Sequence, residues 1–172
     1  MATIATKAAE AVGYYGYPNV VPERVSALEA ASQTFLKGNF VINSSGYVAI
    51  IASDNDGDAL GIATRAGQNA TVGTKYAEFV PLVPGLLLEM NLLEASDSAH
   101  VLAVTDLWAF PQWQTTSSHH VLNTTSTTDR FFIVKIGLGE VGDGYGPGGV
   151  GDSNARVLAV PVGSMMAVSP DV

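Results

Sequence analysis

The sequence predicts an all-β domain, built as a small β-barrel, a β-tulip-like fold or a sandwich, with an extended N-terminal arm and long loops. Three observations point there. Short apolar runs alternate with turn residues along most of the chain. Helical periodicity is scarce. Eighteen glycines and eight prolines punctuate 172 residues, a density that suits many short strands. The length fits one domain, read as an arm over 1–22 and a β-barrel domain over 23–172. A chain of this size buries roughly 70% of its unfolded surface and needs no covalent staples.

The arm opens on small and polar residues, ATIATKAAEAVG, and continues as YYGYPNVVP. Three of the six tyrosines fall in that cluster, and Gly13, Gly16 and Pro18 break any long amphipathic helix. Tyr14, Tyr15, Tyr17, Val20 and Val21 are therefore expected to act as contact residues on a partner rather than as core. PERVSALEAAS, residues 22–32, is expected to start a short helix with Pro22 at its first position and Val25 and Leu28 on one face.

Strand signals follow. FLKGNFVIN and YVAIIAS flank SSG and read as a hairpin, and LGIA is a further short strand. In LLLEMNLL, Leu86, Leu88, Met90 and Leu92 face one way, while Leu87, Glu89, Asn91 and Leu93 face the other. RFFIVKI sets Phe132, Val134 and Ile136 on one face. ARVLAVPV does the same with Leu158, Val160 and Val162, and Pro161 marks an edge or a strand end. Two long connections interrupt the strands: a Ser/Thr-rich one over 111–129 and a glycine-rich one over 137–154. Loops of this length are uncommon without a function or a partner, and Tyr145 in the second is a further expected contact residue.

Composition narrows the function. The formal net charge is -8, and no Lys or Arg lies between Lys75 and Arg130. Nucleic-acid binding depends on neutralising phosphates, so no nucleic-acid partner is expected. The absence of cysteine excludes disulfides and thiolate chemistry. No basic run leads into an apolar run at the N-terminus, and no apolar stretch approaches the ~20 residues of a membrane span; neither a signal peptide nor a membrane partner is expected.

The motif most suggestive of chemistry is SDNDGDALGIATRAG, residues 53–67. Asp54, Asp56 and Asp58 match the first ligands of a calcium loop. Ala59 and Arg65 then stand where that loop needs glycine and glutamate. A turn built on Asn55, Asp56 and Gly57 is the better reading. Gly137, Gly139 and Gly142 match GxGxxG, but GDGYGPGGVG follows and cannot open the helix a dinucleotide requires. His119 and His120 are adjacent and would point to opposite faces of a strand, while His100 stands alone. No GxSxG elbow occurs. No catalytic residue, metal ligand or cofactor is expected. LWAFPQW, with Trp108, Phe110 and Trp113, reads as core, as protein interface or as a sugar-stacking platform.

The order of these pieces resembles the small decoration, or cement, proteins of tailed-bacteriophage heads. Phe35, Lys37, Gly38, Gly46, Asp58, Leu60, Gly61, Ile62 and Ala63 carry the likeness, and PLVPGLLLEMNLL and VTDLWAF are similar to the family's middle. It covers roughly residues 32–134. The tyrosine-rich arm and the glycine-rich stretch depart from the shorter family pattern. The resemblance implies a structural virion protein without enzymatic activity. It would bind the outer surface of the capsid, with the major capsid protein and copies of itself, as dimers or trimers, for partners, after assembly in the host cytoplasm. Trp108 and Trp113 are then further expected interface residues. The alternative is a virion-surface adhesin that holds glycans on exposed aromatics.

Overall fold

The computed structural model describes residues 6–51, 59–94, 98–115, 119–125, 130–136 and 150–162. The described residues form two β-sheets and contain no α-helix. The first strands are β1 (Glu10–Tyr14), β2 (Val25–Leu28), β3 (Phe40–Ser44), β4 (Tyr47–Ile50), β5 (Gly61–Ala63) and β6 (Tyr76–Pro81). There follow β7 (Leu86–Leu93), β8 (Gln112–Thr115), β9 (His120–Asn123), β10 (Phe131–Lys135) and β11 (Arg156–Pro161). One sheet runs β2-β6-β5-β3-β4. The other runs β10-β11-β7-β9-β8, with β1 added to β7.

The five-stranded sheet is buried on both faces, and the pleat explains how. Phe40, Ile62 and Val80 point into the core between the sheets, while their chain neighbours Val41, Ala63 and Phe79 point into a second core with Phe35, Val48 and Ala77. The sheet curls to enclose this second core. Glu29 and Val48 form a parallel bridge, and the Ala30 N–H donates to the Val48 carbonyl at 2.9 Å. Among the described residues this is the one bridge between the two edges, and the sheet does not close into a barrel, so the domain is a sandwich with one curled sheet.

The SSG turn folds as its residues dictate. Ser45 and Gly46 both take positive φ, 52° and 87°, the two-residue geometry that matches strand twist. The Gly46 N–H donates to Asn43 Oδ1 at 2.8 Å. The helix expected over 22–32 is absent. Val25 and Ala27 pack on the second core with a period of two, and β2 pairs with β6 from Val25↔Phe79 to Leu28↔Tyr76. Burial on a waiting sheet edge overrides a weak local preference.

β7 is the spine of the other sheet. Leu86, Leu88, Met90 and Leu92 are fully buried between the sheets, and Leu87, Asn91 and Leu93 on the other face are buried too. The Ser/Thr-rich connection is not a loop throughout: it supplies β8 and β9, paired from Gln112↔Asn123 to Thr115↔His120, with β9 parallel to β7. In β10 and β11 the inward faces are Phe131 and Ile133, and Val157 and Ala159. The expected faces, Phe132 with Val134 and Leu158 with Val160, are the half-buried outer ones.

The expected arm is partly a strand of the domain. β1 pairs antiparallel with β7 from Glu10↔Glu89 to Tyr14↔Leu86, and Ala9 is buried in the inter-sheet core. The Lys7 N–H donates to Asn91 Oδ1 at 2.9 Å, and Arg156 donates to the Ala8 carbonyl at 3.2 Å while pairing with Glu89. Gly38, at φ 84°, completes the fit. A Cβ there would stand 2.7 Å from the Ala9 carbonyl oxygen. Small side chains let this segment lie flat on β7, where main-chain hydrogen bonds do not require an amphipathic pattern.

Candidate interaction surfaces

Two aromatic clusters share β10, and they organise the surface. The first is closed. Phe40 of β3 crosses from the curled sheet and meets Trp113, Phe131 and His120, with ring centroids at 5.7, 5.7 and 5.2 Å. Trp113 is 1% exposed, which corrects its expected place at an interface: its indole fills the seam between the sheets. His120 is fully buried beside it. The Phe40 N–H donates to His120 Nδ1 at 3.0 Å, and Asn39 Nδ2 lies 3.1 Å from the same nitrogen. Nδ1 is therefore an acceptor, and the proton of the neutral ring sits on Nε2. Burial disfavours the charged ring and pulls its pKa down from the ordinary 6.5 to about 4.

The second cluster is open. Trp108 stacks on Phe132 at 5.4 Å, and Phe110 approaches the same ring at 4.8 Å. Trp108 is 53% exposed, and Phe110 is also exposed. Polar braces hold this segment. His100 Nε2 lies 2.8 Å from Asp106 Oδ2, and the Ala103 N–H donates to the same oxygen at 2.7 Å. Those contacts fix the 3-10 turn Val104–Asp106. Trp108 and Ala109 then lie along β10: the Trp108 N–H donates to the Ile133 carbonyl, and the Ile133 N–H to the Ala109 carbonyl, both at 3.0 Å. His100 was expected to stand alone. It is six residues from Asp106, a spacing that no regular period brings together, so the pair left no signal in the sequence. Glu94 Oε1 and Thr124 Oγ1 both lie 3.5 Å from its Nδ1.

The third surface follows β1. Tyr14 is half-buried against the core, whereas Tyr15, Tyr17, Val20 and Val21 are exposed, Tyr17 at 70% and Val21 at 81%. The chain is nevertheless ordered by hydrogen bonds. Tyr14 and Tyr17 exchange main-chain bonds, the Tyr15 N–H donates to the Gly85 carbonyl at 2.7 Å, and the Val20 N–H to the Tyr17 carbonyl at 3.2 Å. Gly13 permits this fold-back, since a Cβ there would lie 2.5 Å from the Pro18 carbonyl oxygen. Beside the segment is a recess of about 250 Å³ between β1 and β5, bordered by Val21. The two cations on its rim are engaged, Lys37 with Glu10 at 3.4 Å and Arg24 with Glu78 at 3.3 Å.

Tyr145, the glycines of the GxGxxG match and the aspartates Asp54, Asp56 and Asp58 lie outside the described residues. Ala59 is buried, and Arg65 donates to the Tyr76 carbonyl at 2.5 Å. Among the described residues, no group of three or more His, Asp or Glu side chains is placed to hold a metal ion. No helix among them is long and apolar enough to cross a membrane. Comparison of the chain with family models, with curated proteins and with solved structures returns no match.

Proposed function

We propose that this protein is a non-enzymatic decoration protein that sits on the outer surface of a phage head and stabilises the shell. The major capsid protein and further copies of the chain, as a dimer or trimer, are its partners in this reading. One observation carries it: an exposed tyrosine- and valine-bearing segment projects directly from a strand that is locked into the domain. Moving a large side chain from water into an apolar interface contributes about 1.5–3 kcal/mol. Ordering a free chain would cost about 1–2 kcal/mol per residue. Here the hydrogen bonds to β7 and Gly85 have already met much of that cost, so Tyr15, Tyr17, Val20 and Val21 are presented in advance.

The test uses expanded shells and the full chain. The wild-type protein is expected to sediment with shells and to raise the temperature at which they break. The variant Tyr15→Ser, Tyr17→Ser, Val20→Ser, Val21→Ser is expected to keep the wild-type melt and to lose shell binding. Shell binding unchanged by the four substitutions, or a breakage temperature unmoved by the wild-type protein, overturns the reading.

A further inference from the structure

We propose that Trp108, Phe110 and Phe132 form a stacking platform for a neutral saccharide, independent of the segment that follows β1. The backbone supplies the first argument. Trp108 sits at φ 70°, in the left-handed region that a bulky residue rarely adopts. Such a conformation persists only where its surroundings over-determine it, and it concentrates at ligand sites. Trp108 is over-determined: the His100–Asp106 contact and the Ala103 N–H fix the turn before it, its own N–H bonds the Ile133 carbonyl, and the Ala109 carbonyl after it accepts from the Ile133 N–H.

The product of that constraint is a half-exposed indole laid nearly parallel to Phe132, 26° between ring planes, with the exposed Phe110 beside it. Were the indole needed for packing, it would point inward as Trp113 does. A flat, rigid and open aromatic face suits the apolar C–H face of a pyranose, which stacks on a ring and leaves its hydroxyls in water. Charge selects among flat ligands. The chain carries -8, and the segment from 104 to 111 contains no Lys or Arg, so that segment offers a phosphate-bearing nucleobase no counter-charge.

Titration with neutral tetrasaccharides of β-1,4-linked glucose, N-acetylglucosamine and galactose, followed by tryptophan emission into the millimolar range, tests the platform. At least one is expected to bind saturably. Trp108→Ala should weaken that binding about tenfold or more, and Trp108→Phe should recover part of it. Both variants should melt like the wild type, because the indole lies outside the core. The Tyr15, Tyr17, Val20, Val21 variant should bind the sugar normally, and Trp108→Ala should bind shells normally, so this platform and the decoration reading fail separately. Emission unchanged across the panel overturns the proposal. So does binding that survives Trp108→Ala. Loss of shell binding in Trp108→Ala, or saturable binding of an oligothymidylate in place of the sugars, would reassign the platform to a protein or to nucleobases.

Discussion

Phe131 and Phe132 are neighbours in β10, yet they belong to opposite kinds of structure. Phe131 closes the cluster of Phe40, Trp113 and His120 between the sheets. Phe132 floors the open cluster of Trp108 and Phe110. The closed cluster is held by packing, and its polar group is buried and satisfied at Nδ1 by the main chain of β3. The open cluster is held by polar contacts along its backbone, with its rings left to solvent. Side-chain burial and backbone bracing are thus separate means of fixing an aromatic group, and the first ties it to stability while the second leaves it free for contact.

Truncating the closed cluster should have the largest effect. Trp113→Ala removes a fully buried indole from the seam and is expected to cost about 3–5 kcal/mol in denaturant unfolding. A loss under about 1 kcal/mol would show that the seam does not join the sheets.

Acid should act on the same cluster. The unfolded chain's histidine titrates near 6.5 and the folded His120 near 4. Between those values the unfolded state holds more protons, so stability rises with pH. The contribution is complete above about 6.5 and is lost as pH falls toward 4. Between pH 7 and 5 the loss from this residue is about 2 kcal/mol. His120→Gln, whose amide oxygen can still accept from the Phe40 N–H, should flatten that slope. A fold that gained stability on acidification through His120 would mean that the ring is charged in the core.

The open cluster should respond less. Asp106→Ala removes the acceptor that caps the 3-10 turn and is expected to cost about 1–2 kcal/mol. Acrylamide quenching of Trp108 should rise, while the near-ultraviolet signal of Trp113 holds. Smallest of all, Trp108→Gly should leave stability unchanged or raise it by about 0.5–1 kcal/mol, because glycine adopts φ 70° without strain. A loss above that size would place the indole in the core after all.

Much of the sheet architecture was legible because a period of two survives in side chains that meet a core. β7, the β3–β4 hairpin and β5 all announce themselves in this way. What escaped depends on partners remote in sequence. Nothing in ALEAAS shows that β6 offers an edge to β2, and AEAVG gains a strand only where β7 is already in place. QWQT and HVLN carry too few apolar residues to stand out from the serines and threonines between them. For β10 and β11 the alternation was visible but not its sign, since Phe132 and Val160 are as apolar as Phe131 and Val157. Of the expected contact residues, Tyr15, Tyr17, Val20 and Val21 are exposed, as is Trp108, and Trp113 is not. The two tryptophans stand five positions apart, and residue type alone does not say which will be enclosed.

The lock on the first strand sets an order of events in synthesis. β1 rests on β7, and Arg156 of β11 reaches back across 148 positions to the Ala8 carbonyl. A ribosome delivers Ala8 early and Arg156 late, at about 5–20 residues per second, so the N-terminal segment waits on the order of ten seconds for its last partner. β7 and Gly85, which anchor the valines and tyrosines beyond β1, emerge about midway, after every strand of the curled sheet. Contacts of such long range slow folding, because their loop entropy is lost before they contribute. The tyrosine-bearing surface therefore takes its shape only after the whole curled sheet has been made, and its lock closes with β11.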